Sequence, residues 1–313
     1  MASLPIRLPI VVLFLALGMA SCELQEVTVV EVESVVVAEA YAMVGVPGFG
    51  AGNRLWVLLG GTVGGPSDPG LEAARVEVVL ARRDRVRLRR VPLEACVSDR
   101  DRERPGVCYD AGAEASSLQP GDELALEIEL PDGRRLEAET RVPGEFQVEG
   151  GISGCVLPPD TPFEVRWTPS QGAGAYVNET RIDGLDVALA PEGIPAPDEL
   201  YLLGLSISAT DTTIVFPGEF GVFDRFDLDQ ALTVRLQEGL PDGSSALVGI
   251  SAADQNYVNW ARGGNFNPSG QVRIPSVRGD GTGVFASLVM RRLEVLASST
   301  PPGPGIQACP GGS

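Results

Sequence analysis

The residues able to do chemistry in this 313-residue chain are few in kind. There is no histidine, all 24 basic residues are arginine, and 42 carboxylates and five cysteines complete the reactive set. Without histidine or lysine, Ser-His-Asp and Cys-His nucleophile pairs, lysine Schiff bases and histidine-ligated metal centres are excluded. Two convergent carboxylates could still act as acid and base or nucleophile. No spacing selects such a pair, so the chain reads as non-enzymatic, with no cofactor and no metal site. "DRFDLD", Asp224 to Asp229, gathers carboxylates but lacks the glycine and terminal glutamate of an EF-hand loop.

The cysteines carry more. In "LALGMASCELQEV" an apolar run ends at small residues and Cys22, with Arg7 before it and Glu23 and Glu26 just after. The run is too short for a membrane helix, which needs about 20 apolar residues, and it has the layout of a secretory signal. Together with Cys22 it resembles the lipobox of bacterial lipoproteins. That resemblance implies thioether lipidation of Cys22 after cleavage at Ser21. An ordinary cleaved signal with an incidental cysteine, or a signal anchor, are the competing readings. Each buried methylene contributes about 0.8 kcal/mol, so a multiply acylated cysteine anchors the body without further lipid contact. Glu23 to Gln25 would leave only a short reach between anchor and first strand.

Four cysteines remain, which suits two disulfides in an oxidising compartment. Cys96 and Cys108 bracket a polar loop, "VSDRDRERPGV", and are expected to staple it. Cys155 and Cys309 would then tie the tail back to the middle of the chain. The sequence does not decide this connectivity.

The formal net charge of −18 makes nucleic acid and anionic headgroups poor partners. Within this acidic chain Arg82, Arg83, Arg85, Arg87, Arg89 and Arg90 form one basic ribbon. It could hold an anionic partner such as a lipopolysaccharide phosphate. The plainer reading is cross-strand pairing with glutamates.

The elements that must position these residues read as strands. In "DELALEIELPDGRRLEAETRV", Leu124, Leu126 and Ile128 alternate with acids, Pro131 to Gly133 turn the chain, and Leu136, Ala138 and Thr140 return at period two. Similar runs occur at 27–42, "RLWVLLGGTV", "ARVEVVLARRDRVRLRRV", "FEVRWTPSQGAGAYVNETRI", "LYLLGLSISATDTTIVF", "ALTVRLQEGLPDGSSALVGI" and "GTGVFASLVMRRLEVL". Trp167 and Tyr176 are expected core aromatics and resemble those of fibronectin type III sandwiches; Trp56 and Trp260 also lie in apolar periodic contexts. One short helix is expected, capped by Ser251 with Asp254 three residues on, burying Ala253, Tyr257, Trp260 and Ala261. The loop "RGGNFNPSGQ" after it is a connector that could carry a binding surface. The "NET" triplet at Asn178 falls inside a strand.

The fold class is therefore all-β: a signal peptide at 1–21, an Ig-like sandwich at 22–150, a second sandwich with the short helix at 151–298, and a Pro/Gly-rich tail at 299–313. A transmembrane β-barrel fits less well, because aromatics are 6% and charges are frequent within the strands.

The lipobox, "VVVAEAYAMVGV", "SLQPGDELALEIELPDGRRLEAETRVPGEF" and "VRGDGTGVFAS" resemble a domain-of-unknown-function family of Gram-negative lipoproteins associated with TonB-dependent receptors. The resemblance implies an outer-membrane location, facing periplasm or exterior, and two β domains; it implies no catalytic residue. The expected role is a lipid-anchored, partner-binding or structural envelope module, with a transporter such as a TonB-dependent receptor as partner. The alternative is a lipoprotein that captures glycan or peptide.

Overall fold

The clearest hairpin of the sequence becomes β7 (Glu123–Glu129) and β8 (Arg135–Arg141). Leu124, Leu126, Ile128, Leu136 and Ala138 face the core, and the acids between them face solvent. Gly133, at φ +92°, supplies the left-handed turn residue. The structure is a computed structural model. It describes residues 34–45, 52–62, 69–80, 84–97, 105–150, 153–206, 208–218, 230–263, 273–303 and 307–309.

Two sheets enclose the core. The smaller has spatial order β15 (Arg278–Gly279), β8, β7, β3 (Arg75–Leu80), β4 (Arg85–Arg87). The larger runs β12 (Glu199–Leu205), β11 (Ala175–Asp183), β14 (Ser245–Ala253), β16 (Gly281–Ala297), β1 (Val36–Val44), β2 (Arg54–Gly61), β6 (Val107–Asp110), β5 (Arg89–Val91). Its remaining members are β9 (Gly154–Leu157), which pairs with β16, and β17 (Gln307–Ala308), which pairs with β9. A separate ladder joins β10 (Phe163–Arg166) to β13 (Thr213–Phe216). One apolar cluster, from Ala40 and Val57 through Leu126 to Trp167 and Val289, fills the space between the sheets.

The 17-residue β16 organises this arrangement. Antiparallel β14 holds one edge over Ser245–Ala253, while parallel β1 and then parallel β9 share the other. The larger sheet thus takes strands from both sides of the domain boundary expected after residue 150, and Ser34–Ser313 forms one compact unit. Residues 283–290 are buried on both faces, which explains the near-continuous apolar run "GVFASLVM" in place of an alternation. Gly283, at φ +134°, lets β1 approach: a Cβ there would collide with the Ala38 carbonyl.

Both expected disulfides are formed. Cys96–Cys108 has Cα atoms 5.8 Å apart, and Cys155–Cys309 has them 4.9 Å apart. Trp167 and Tyr176 are buried with ring centroids 5.3 Å apart, and Phe146 stacks edge-on against Tyr176.

Three helical expectations need correction. First, the described residues contain three α-helices, not one: α1 (Leu185–Leu189), α2 (Gln230–Glu238) and α3 (Gln255–Arg262). Second, "ALTVRLQE" is helix. A strand would bury Leu232, Val234 and Leu236 together, whereas Leu232 and Leu236 are buried and Val234 is 52% exposed, the four-residue spacing of a helix face. Third, the cap of α3 is Asp254, whose carboxylate accepts from the Tyr257 amide at 2.8 Å. Ser251 cannot cap, because its backbone sits in the β14 ladder between Val177 and Met290. Ala253 likewise belongs to the strand. The stretch "FEVRWTPSQGAGAYVNETRI" does contain two strands, but β10 pairs with β13 and β11 with β12 and β14.

The two-residue β15 covers the outer edge of β8 only at Leu136 and Glu137, and the rest of that edge is completed by other groups. In its antiparallel register with β7, the even residues of β8 bond to β7 and the odd ones point their backbone groups away. Asp280 takes both groups of Arg135, through its carboxylate and its amide. The Asn256 amide side chain donates to the Glu139 carbonyl at 2.8 Å, and the Ser287 hydroxyl donates to the Arg141 carbonyl at 2.9 Å. Residues of the larger sheet and of α3 thereby complete the smaller sheet and protect an edge open to unwanted pairing.

Candidate functional site

Period-two alternation puts every second residue of the small sheet on its solvent face, and register lines those residues into rows. One row reads Arg87, Glu77, Glu127, Glu137, Arg278 across β4, β3, β7, β8 and β15. The next reads Arg75, Glu129, Arg135. Arg85, Glu123, Glu139 and Arg141 complete the face. Six arginines and six glutamates make it electrically neutral in a chain of net −18.

Direct cross-strand neighbours of like charge repel, and three glutamates stand side by side in the central row. Arginines from the flanking positions offset this. Arg75 forks onto Glu77 at 3.0 and 3.1 Å, and Arg85 reaches Glu127 at 2.6 Å and Glu77 at 3.3 Å. Arg135 holds Glu129 at 3.0 Å. The hydrogen bond from Arg75, with a smaller contribution from Arg85, holds the Glu77 carboxyl below its ordinary range. A shallow hollow of about 210 Å³ lies among Arg75, Glu77, Arg85, Glu127, Arg135 and Glu137. The result is a network of arginines and glutamates of no net charge, suited to a complementary polar surface.

The basic ribbon of the sequence divides between two sheets. Arg85 and Arg87 lie on β4, the chain crosses at buried Leu88, whose amide donates to the Val76 carbonyl, and Arg89 and Arg90 lie on β5 of the larger sheet. Arg85 is bound to Glu77 and Glu127, and Arg90 to Glu72 at 2.8 Å, while Arg87 and Arg89 are exposed. Arg82 and Arg83 lie outside the described residues, as do Cys22 and Asp224–Asp229. Among the described residues no three His, Cys, Asp or Glu side chains converge as a metal set. Arg75, Arg135 and Arg278 lie outside the basic ribbon and join this face only through strand register. The first two follow from the alternation once the hairpin register is known; the third depends on a partner strand 141 positions away from Glu137.

The outer face of the larger sheet is aromatic. Tyr41 and Trp56, cross-strand neighbours on β1 and β2, have centroids 4.8 Å apart, and Tyr257 of α3 meets Tyr41 at 6.4 Å. They join a second apolar cluster built on Val177, Ala253 and Leu288. Trp260 is half-buried under Arg273, whose guanidinium carbon is 4.8 Å from its ring centre. Of the three tryptophans, only Trp167 fills the space between the sheets. Asn178, in β11, donates to the Gly249 carbonyl.

No family model and no curated protein matches the chain. Among solved structures, one of Clostridium thermocellum CbhA fibronectin(III)-like modules matches at 11% identity, covering 85% of this chain and 94% of that one, with a TM-score of 0.21. At that score the backbones do not superpose closely, and the layered β architecture is read from the strand pairing itself.

Proposed function

We propose that this protein is a lipid-anchored module of the cell envelope, tethered through Cys22 at the outer membrane, that binds a protein partner and performs no catalysis. The observation that carries the reading is the cysteine arithmetic. The two disulfides use Cys96, Cys108, Cys155 and Cys309, so of five cysteines only Cys22 has no intrachain partner. A leftover cysteine behind a small-residue stop is where lipid attachment is chemically expected. Disulfide use also fits an exported chain.

The docking surface in this reading is the neutral face of the small sheet, where the acidic repulsion of the rest of the chain is locally cancelled. A transporter of the TonB-dependent class is the partner that the family resemblance implies. The half-buried Tyr41–Trp56 pair favours a second reading, a glycan or peptide binder, because neighbouring aromatics on a sheet face suit sugar rings and extended chains.

The test is in-cell crosslinking of tagged protein with a Cys22→Ala control. Membrane fractionation lost in the control, and an envelope protein recovered only with intact Cys22, is the expected outcome. A control that still sediments with membranes removes the anchor. Wild type on membranes with no specific partner turns the reading toward glycan or peptide.

A further inference from the structure

Three oxygen–oxygen contacts run in line through the buried corner where β8, β16 and α3 meet. The Asp254 carboxyl touches the Thr140 hydroxyl through Oδ2, the Thr140 hydroxyl lies 2.9 Å from that of Ser287, and Ser287 lies 2.9 Å from the Arg141 carbonyl. Asp254 is 5% exposed, and Thr140 and Ser287 are buried. Each contact requires one proton, yet the two hydroxyls hold only two. The Arg141 carbonyl has none to give, so it takes the proton of Ser287. The Thr140 proton then serves either Ser287 or Asp254. With an ionised carboxylate, one contact is left as lone pair against lone pair, a costly arrangement away from water. A proton on Oδ2 completes the chain: Asp254 donates to Thr140, Thr140 to Ser287, and Ser287 to Arg141.

We infer that Asp254 is a neutral acid when this corner is closed, and that its ionisation is a pH switch loosening the junction between the two sheets. On ionisation the carboxyl proton leaves to solvent, the Thr140 hydroxyl turns to the carboxylate, and the Thr140–Ser287 bond loses its hydrogen. The inference stands on the oxygen positions and is independent of the proposed anchoring and partner.

The surroundings agree. Burial is the leading influence and raises the Asp254 carboxyl to about 6, against the opposing hydrogen bonds from Thr140, Tyr257 and Ser287. The Tyr257 hydroxyl, pushed to about 12 by burial, stays neutral throughout the relevant range. On β8 the flanking Glu139 and Arg141 side chains are exposed on the opposite face, and β14 carries no titratable side chain. On β16 the next charge is Arg291, which donates to the Phe146 carbonyl and pairs with Glu145. β1 presents Ala42 beside Ser287, and Arg262 stands at the far end of α3.

The deciding experiment is a pH titration of the full chain labelled at the aspartate Cγ with ¹³C, the Asp254 signal being assigned through its own amide. A midpoint near 6 is expected; a midpoint at or below about 4, the ordinary aspartate value, overturns the inference. Amide exchange on the same sample tests the switch. After correction for intrinsic rates, protection at Asn256–Val258 and at β8 should fall by about tenfold between pH 5 and 7. Unchanged protection shows a carboxyl that titrates without opening the corner, and overturns the switch. Both readings use wild-type protein, so they do not depend on a variant that folds.

Discussion

Glu77 on β3 and Glu127 on β7 stand directly opposite each other, and a single guanidinium nitrogen of Arg85 reaches both, at 3.3 and 2.6 Å. Two like charges at cross-strand distance are unfavourable alone. Arg85 turns the pair into a three-member network, and Arg75 adds a two-nitrogen grip on Glu77.

Removing Arg85 should therefore be felt more than removing an isolated surface arginine. Arg85→Ala is expected to lower the urea midpoint at low salt, and by less in about 1 M NaCl, where screening weakens the repulsion of the half-exposed Glu127 on its buried neighbour Glu77. Arg85→Lys should recover only part of the loss, since an ammonium cannot reproduce the two-nitrogen grip of the guanidinium on the Glu127 carboxylate. Equal midpoints for Arg85→Ala and wild type at both salts would show that the network contributes nothing.

The two disulfides close loops of very different size, with separations of 154 and 12 residues. In the chain-entropy account these remove about 5 and about 3 kcal/mol from the unfolded state. The double variant Cys155→Ser/Cys309→Ser is expected to lose more stability in denaturant titration than Cys96→Ser/Cys108→Ser. The reverse order would locate the stabilisation in local packing of the 96–108 loop.

Gly283 is predicted to be irreplaceable. Alanine there meets the Ala38 carbonyl and must adopt φ +134° in the middle of the β1–β16 pairing. Gly283→Ala should cost more than about 1 kcal/mol. Gly121→Ala, at φ +89° with open space around it, carries the backbone term without the collision and serves as the reference. Equal losses would mean that β1 can shift at no cost.

Asp254→Asn isolates the buried acid from the other carboxylates. The folded value near 6 lies above the ordinary 3.8, so the folded state binds the proton more tightly. The stabilisation is present below the unfolded value and is lost as pH rises through the folded one. Between pH 4 and 7 the wild type should lose up to about 3 kcal/mol relative to the asparagine variant, measured as the difference between their stability curves. Parallel curves would show that Asp254 does not titrate differently on folding.

How much of this was legible depended on how local the cause was. The β7–β8 hairpin was readable because its alternation and its Gly133 turn lie within 21 residues of chain. The cysteine pairs were expected from the short polar loop between Cys96 and Cys108, but four sulfurs allow three pairings and the structure chooses among them. α2 was missed because "ALTVRL" satisfies both periods, and only the exposure of Val234 separates them. The cap of α3 was misplaced by three residues because the sequence does not mark where β14 ends. The ribbon of arginines looked like one surface because the crossing between sheets at Leu88 leaves no trace in its composition.

By itself the sequence determined the chemistry available: no imidazole, no lysine amine, five cysteine sulfurs, a surplus of carboxylate, and strands of period two whose polar halves must face water. Those properties are local or additive, so they survive without coordinates. The tertiary structure alone decided which strands meet. β16 lies beside β1, and Thr140 lies 2.9 Å from Ser287 across 147 positions of sequence. The physical reason is that a strand edge offers the same amide and carbonyl groups whatever its side chains. Partners are chosen by the burial of the whole core, and only that choice brings a carboxyl and two hydroxyls into one row with a proton too few.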